Sequence, residues 1–551
     1  MAYNGYAIDS DNYLDAEEIT RRLDALIRKP IYSIRPEALE RYQKEYFDAK
    51  CQGSKAMTDA AKKVIPGGVE HNLAFNYPFP IAITSAIGNR MTDVDGNVYY
   101  DLLQAGGPTV LGSNPPEVRE AVIDLLNTCG PSTGLFHEYE YKLAKKISEL
   151  VPSVEMIRFL GSGTEACMVA ARIARLKTGH KNILKMGGGY HGWSDQLAYG
   201  IRVPGTKGML SHGVPGFIFK HTDEFFPGDL KDLEKKLKKH KLDGGTAAIF
   251  VEPVGPESGT RPVTREFVKG CERLAHKYGA LLVFDEVVTG FRIGVHGAQG
   301  FFNVDPDLTV FGKVVAGGYP GAGAVGGHRD CMQYLGAGLD GQGKKLHKAL
   351  CGGTLSATPL STCAGYHMIC EIEKQNACEK AGRMGDRLTK GLQESIRKYN
   401  LPFVAFNQGS ICHLDSVGTM HFAIDWSKLW EVPKILKETS VRQAEMEHMG
   451  AAYMAEGLIT LAGSRLYTSA AYTEEEIDDV IARFDRVFSQ CGRIRTELDK
   501  PEKPAKAPRT AKARKAPQAV KAQAEGVSHE QLVQEVQEVS QAEIAQEGKE
   551  A

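Results

Sequence analysis

The chain has 551 residues, 42% of them hydrophobic, enough for a large core shared by roughly two to four units of ordinary domain size. Its 67 Lys and Arg residues nearly balance 68 Asp and Glu, so no overall field selects nucleic acid or an anionic membrane, and partners must be read from local sites. The 11 cysteines form no CxxC pair and no repeated spacing, which argues against a disulfide framework or a zinc cluster and fits a reducing cytoplasm.

The first twenty-odd residues, MAYNGYAIDSDNYLDAEEITRR, are polar and acidic, with no apolar centre, so no signal peptide is expected. No run of about 18 apolar residues predicts a membrane span. Leu23, Leu26 and Ile27, then Leu39, Tyr42 and Tyr46, recur at helical spacing on either side of Pro30 and Pro36. They predict two short docking helices in an N-terminal extension over residues 1–65.

From IPGGVEHNLAF onward, short apolar runs alternate with longer helical patterns: MIRFL then TEACMVAARIARLKTG, NILK, TAAIFV then TREFVKGCERLAHKYG, ALLVFD, LTVF. This alternation predicts an α/β fold, a mostly parallel sheet covered by helices on both faces, with ligands at the carboxyl ends of the strands. Residues 66–110 read as entry strands and the first part of a small domain, and 111–350 as the large α/β domain. After the GGT near residue 352, a long helical stretch, the strand-like ICHLD and MHFAID, and EEEIDDVIARFDRVFSQC predict a smaller α+β domain over 351–497. Residues 498–551 begin Lys-, Ala- and Pro-rich and turn acidic. They cannot bury a core and are expected to be disordered, with a thin apolar stripe at Leu532, Val536 and Val539.

Four segments at strand ends carry chemistry. In RFLGSGTEA, Gly161, Ser162, Gly163 and Thr164 sit where a strand turns into a helix; the free N–H groups and dipole there suit a phosphate, although a simple helix cap reads the same way. KMGGGYHGWSD places Tyr190 and His191 in a glycine-dense loop, where a ring can stack on a flat cofactor or pack under the loop. Asp285 in LLVFDEVVTG and Lys313 in VFGKVVAGG each follow a buried-type strand. Singly, the acid is a cap and the lysine a solvated charge. Jointly, and in this order, they suit pyridoxal phosphate: the lysine condenses with its aldehyde and the acid keeps its ring nitrogen protonated.

Together with DVDGNVYYDL, GPTVLGSNPPEV, VPSVEMIRFLGSGTEA, YHGWSD, VEPV, FDEVVTGFR, HGAQGFFNVDPDLTVFGK and GGTLSATPL, these motifs resemble the class III, ornithine-transaminase-like family of fold-type-I pyridoxal-phosphate enzymes. They are most similar to its glutamate-1-semialdehyde 2,1-aminomutase branch, from PGGV at residue 66 to the EEEIDD helix near 480. The resemblance implies that Lys313 forms the aldimine and moves the proton, Asp285 pairs with the pyridine nitrogen, and Tyr190 and Val287 flank the ring. It also implies that Ser162, Gly163 and Thr164 cradle the phosphate, and that Thr354 reaches the phosphate of a neighbouring subunit in a homodimer. His191 and Glu257 are expected beside the cofactor, Glu257 in GPESG standing where that branch carries an asparagine.

The branch has an arginine a few residues after PGGV that holds the substrate carboxylate; here Ala74 takes its place, removing a bidentate clamp. Arg292 in TGFRIG is a replacement anchor or a structural arginine, and His71 and Asn72 either touch substrate or cap a turn. The expected reaction is transfer of an amino group between a small amino donor and an oxo acid or aldehyde acceptor, with aminomutase, racemase or epimerase chemistry as the alternatives at the same site. No metal is expected. The basic stretch between Lys500 and Lys521 allows a tail that binds nucleic acid or protein, against which stand its lack of aromatics and the acidic segment that follows.

Overall fold

The apolar runs become one seven-stranded sheet: β1 (Met156–Leu160), β2 (Asn182–Met186), β3 (Thr222–Phe225), β4 (Thr246–Val251), β5 (Leu281–Asp285), β6 (Leu308–Gly312) and β7 (Gly323–Gly327), in the order β1-β7-β6-β5-β4-β2-β3. This computed structural model describes residues 3–336, 347–422, 430, 432–461 and 463–496, which belong to the compact unit Met1–Leu498. The tail from residue 498, with its basic stretch and its apolar stripe, lies outside the described residues.

Neighbouring strands from β6 through β5, β4 and β2 to β3 are parallel, while β7 runs antiparallel to both β6 and β1. Every residue of β4, β5 and β6 is buried, as expected of central strands covered on both faces. The pleat divides them. Val283, Phe250 and Val310 pack with Ala166, Ala170 and Ala174 of helix Gly163–Thr178, whereas Leu282, Phe284 and Ile249 pack with Phe267, Val268 and Cys271 of helix Arg265–Lys277. Ser162 caps the first of these helices and Gly179, at φ 70°, ends it in the left-handed conformation that glycine tolerates best.

The smaller part contains an antiparallel sheet of β8 (Val404–Gln408), β9 (Ile411–Asp415) and β10 (Arg465–Tyr467), in that order, packed with the long helices Ala377–Lys398 and Glu474–Ser489. A four-stranded sheet joins three early strands, Ile83–Ile87, Arg90–Asp93 and Val98–Asp101, to Leu458–Ile459. ICHLD is β9. The start of MHFAID is not a strand: Thr419–His421 forms a short 3-10 helix after Gly418, which sits at φ 78°, and 423–429 lie outside the described residues.

In the N-terminal extension, helix Ala16–Leu26 places Ile19, Leu23 and Leu26 on Val404 and Phe406 of β8. The second expected helix, Pro36–Tyr42, runs on through a π-turn at Gln43–Phe47, and an unexpected further helix covers Gln52–Ala61. The hydroxyls of Tyr46 and Tyr99 lie 2.6 Å apart and Tyr99 donates to Asp93 at 2.7 Å, tying the extension to the four-stranded sheet.

Candidate active site

Asp285 ends β5 opposite Val310 of β6, and Lys313 follows three residues later (313 − 310), so both side chains stand at the same carboxyl rim of the sheet. Lys313 opens a 3-10 turn with φ 49°, a conformation costing a side chain on the order of 1 kcal/mol that is tolerated where the surroundings fix it. Its Nζ donates to the Gly106 carbonyl at 2.7 Å. Glycine suits the loop there for its backbone: Gly107 sits at φ 124°, a conformation that side-chain-bearing residues rarely adopt, while a Cβ on it would make only ordinary contact with Lys313 Cδ at 3.6 Å. Burial lowers the Lys313 pKa, favouring the neutral amine that a nucleophile must present.

Asp285 is held on three sides. Oδ1 accepts from Val287 N–H at 3.0 Å; Oδ2 lies 2.7 Å from His191 Nδ1 and accepts from the Cys167 thiol at 3.6 Å. Burial lowers the His191 pKa and raises that of Cys167, the latter helped by Asp285, so a neutral imidazole and an intact thiol both act as donors to the carboxylate. A carboxylate offers about four lone-pair sites, so about one remains for a cationic N–H. The Cys167, His191 and Asp285 ligand atoms lie within 4.8 Å of one another, a spacing that also suits a metal, but their mutual hydrogen bonds account for it.

The phosphate-type turn lies beside this acid. Ser162 Oγ accepts from Glu165 N–H at 3.3 Å, so the helix cap is real, and it leaves the other N–H groups of the first turn available. A Cβ on Gly163 would stand 2.9 Å from Val287 Cγ2, and one on Gly192 would fall 2.3 Å from Thr164 Oγ1. Glycine at those two positions lets the turn, the Tyr190–His191 loop and the segment after β5 converge. Tyr190 stays 47% exposed, with its ring free to meet a flat ligand, while its N–H donates to Glu252 Oε1 at 2.9 Å.

Glu252, from the VEPV segment, is a site residue that the sequence reading did not single out. Its carboxylate also accepts from Glu257 N–H at 2.8 Å and Ser258 N–H at 2.5 Å, so it fixes the aromatic loop and the GPESG turn together. Burial, with Asp285 nearby, pushes its pKa up to about 8. The GPESG turn holds Glu257 and Ser258 at φ 47° and 55°, and Glu257 Oε1 stands 3.3 Å from Arg465 Nη2 on β10. Arg465 was also missed: it follows Lys313 by 152 residues (465 − 313) in a segment without a motif.

Arg292 is fully buried and uses four of its five N–H donors on this chain. Nε and Nη2 donate to the Gly107 carbonyl at 3.0 and 2.8 Å, and Nη1 to Ser410 Oγ and the Thr468 carbonyl, each at 3.0 Å. Burial lowers its pKa to about 10. This geometry makes it a staple between the glycine loop beside Lys313 and the small sheet. His71 Nδ1 accepts from Leu73 N–H at 3.1 Å, capping a turn, and Asn72 is exposed. The side chain that turns toward the lysine loop is Leu73, whose Cδ1 would lie 3.2 Å from a Cβ on Gly106. Thr354 lies in an exposed stretch, Gly352–Leu355.

The strand-end lysine, the enclosed acid, the half-exposed ring and the helix N-terminus, where Gly163 leaves room that a Cβ would fill, fit pyridoxal phosphate in donor chemistry. A family model described as class-III aminotransferase matches residues 74–485. A glutamate-1-semialdehyde 2,1-aminomutase of Legionella pneumophila (strain Paris) is 39% identical over 358 residues, covering 64% of this chain and 80% of the relative. A second such aminomutase, from Lachnoclostridium phytofermentans, is 34% identical over 447 residues, covering 78% of this chain and 98% of the relative. An omega-transaminase from Sphaerobacter thermophilus superimposes with a TM-score of 0.69 at 25% identity, over 81% of this chain and 99% of that one. With its strand-end acid and lysine inside the matched region, the chain belongs to the class-III aminotransferase family of pyridoxal-phosphate enzymes.

Proposed function

We propose that the chain moves an amino group between a small amino donor and an oxo acid or aldehyde. The observation that carries this reading is the pairing, on one rim of the sheet, of an enclosed lysine of lowered pKa with a carboxylate already oriented by three donors. Pyridoxal phosphate, when bound, supplies a carbonyl that takes up the amino group and a ring that delocalises the electrons of a broken Cα–H bond. The chain's own residues do the rest. Ser162, Gly163 and Thr164 would hold the phosphate, Tyr190 and Val287 would flank the ring, and Asp285, backed by His191 and Cys167, would keep a proton on the ring nitrogen. Lys313 Nζ would carry the proton to and from the substrate α-carbon.

We take the working form to be a homodimer in which Thr354 serves the neighbouring subunit's phosphate site. Supporting this are the exposure of Gly352–Leu355 and the large apolar side chains left uncovered, Leu135 at 81%, Phe136 at 78% and Leu350 at 80%. The 39% identical aminomutase favours a second reading, internal transfer of an amino group within one substrate. Ala74 and Leu73, an apolar pair where that branch holds a carboxylate, favour transamination instead.

The two readings separate in a half-reaction. Holoenzyme given an amino donor and no acceptor should convert lastingly to the amine form of the cofactor, followed by absorbance; a return to the starting spectrum with rearranged product would favour the aminomutase. Lys313→Ala should abolish both the absorbance of lysine-bound cofactor and turnover, and retention of both would overturn the assignment.

A further inference from the structure

The loop that carries Tyr190 and His191 has little regular structure of its own. Between β2 and β3, residues 187–207 form no helix and no strand of the sheet, yet about half of them are buried. A loop of that length inside a compact unit needs its backbone groups satisfied from elsewhere.

Two buried charges of opposite sign meet that need. Lys185 of β2, completely buried, donates from Nζ to the carbonyls of Gly189 at 2.8 Å and Leu197 at 3.1 Å, one on each limb of the aromatic turn. Glu224 of β3, also buried, accepts from the N–H groups of Gly205 at 3.0 Å and Lys207 at 2.9 Å. The two are register partners across a parallel strand pair, so their side chains leave the same face of the sheet. Glycine clears the way for the acid: a Cβ on Gly187 or Gly200 would fall 2.7 or 2.4 Å from Glu224 Oε2. Burial lowers the lysine pKa to about 8, and Glu224 is the strongest of the groups that pull it back up, ahead of Glu252, Cys167 and Asp285.

A buried ion pair is a poor device for stability alone, since apolar side chains of the same size often serve a core as well or better. The position of the ammonium shows what it adds. The Gly189 carbonyl and the Tyr190 N–H belong to one peptide unit, and the Tyr190 N–H donates to Glu252 Oε1 at 2.9 Å. That peptide is therefore gripped at both poles, by Lys185 on its oxygen and by Glu252 on its nitrogen. The next side chain along, His191, rests with its ring centroid 5.4 Å from that of Phe250, the β4 register partner of Lys185.

We propose that Lys185 is a positioning residue of the amino-transfer site: with Glu252 it clamps the Gly189–Tyr190 peptide, which sets the Tyr190 ring for stacking and His191 for its bond to Asp285. Glu224 is its counter-charge. Lys185 acts through Tyr190 and His191 rather than by contact with the cofactor, and the inference rests on pyridoxal phosphate being held at Lys313.

Hydrogen exchange and cofactor titration of the full chain test it. Lys185→Met keeps the length of the side chain and loses its charge and donors; combining it with Glu224→Gln leaves no lone buried ion, and decides the matter should the single variant not fold. Without cofactor, peptides over residues 187–198 should exchange about tenfold faster in either variant, while those of β4 and β5 keep the wild-type rate. With pyridoxal phosphate, affinity read from the lysine-bound absorbance should fall about tenfold. Tyr190→Ala, which loses the stack, should weaken cofactor by a similar factor in the wild-type background and cost little more in the Lys185→Met background, because both changes remove the same contact. Loop exchange and cofactor affinity at wild-type values overturn the proposal, as do fully additive losses from Lys185 and Tyr190, which would make the lysine a part of the core alone. Should the wild-type chain form no lysine-bound cofactor, the amino-transfer reading fails, and exchange over 187–198 against β4 and β5 still decides whether Lys185 holds the loop.

Discussion

The two walls of the site hold their polar groups in opposite ways. On the large-sheet rim each charged group comes with its partners: Asp285 with Val287, His191 and Cys167, Glu252 with three backbone N–H groups, Lys313 with the Gly106 carbonyl. On the small-sheet wall Tyr467 and Arg465 keep polar atoms unmatched, as does Glu257 of the GPESG turn that faces Arg465. A tightly held cofactor is served best by groups already oriented, whereas a substrate that comes and goes is discriminated by groups that only it completes. The first wall should therefore respond to mutation in rate, and the second in affinity.

The largest effect expected is on the rim. Asp285→Ala should leave cofactor partly bound through the phosphate turn and Lys313, while amino transfer slows by roughly two or more orders of magnitude, because no carboxylate then keeps the ring nitrogen protonated. Single-turnover rates at saturating donor measure it. Normal rates would remove Asp285 from the chemistry and with it the contrast between the walls.

Arg292 lies where the walls meet and tests which of them owns it. As a staple it serves three acceptors on both sides, so Arg292→Lys, a shorter single-point donor in a fully buried position, should cost about 3 kcal/mol of stability in denaturant unfolding. Selective loss of affinity for a dicarboxylate such as glutarate, with stability intact, would make it a substrate anchor instead.

The same division explains what the sequence disclosed. The rim was legible because each of its residues follows a strand whose continuous apolar run is plain, and because small residues punctuate each turn: Gly163 and Gly192 stand where a Cβ would strike Val287 or Thr164. Cys167 and Glu252 escaped notice although they lie in quoted motifs, since a mid-helix cysteine and a strand-end glutamate read as packing and capping until their distances to Asp285 and the Tyr190 loop are known. Arg465 and Tyr467 gave no local signal. They come from a three-residue strand whose position depends on pairing with β9 and on the Arg292 staple, relations between residues 52 (465 − 413) and 176 (468 − 292) positions apart. At the start of MHFAID a 3-10 turn stands in place of a strand for a local reason, the left-handed Gly418 just before it.

Glu252 gives the smallest and most specific test, because the forces on it oppose each other. Three N–H donors favour its carboxylate, while burial and the Asp285 charge favour the acid and prevail, holding its pKa near 8 against an ordinary 4.5. Between those two pH values the folded protein binds a proton that the unfolded chain has released, so this group's contribution to stability is full below about pH 4.5. It is lost as pH rises to about 8 and is constant above that. Glu252→Gln cannot ionise. Its stability relative to wild type, measured by denaturant unfolding at pH 5, 6.5 and 8, should therefore improve with pH, by on the order of 1 kcal/mol per unit at most. A difference that stays flat from pH 5 to 8 would mean that the three backbone donors outweigh burial and that Glu252 is ionised throughout. In that case it would stand as a fixed negative charge beside Asp285, and the rim would owe its order to charge as much as to hydrogen-bond geometry.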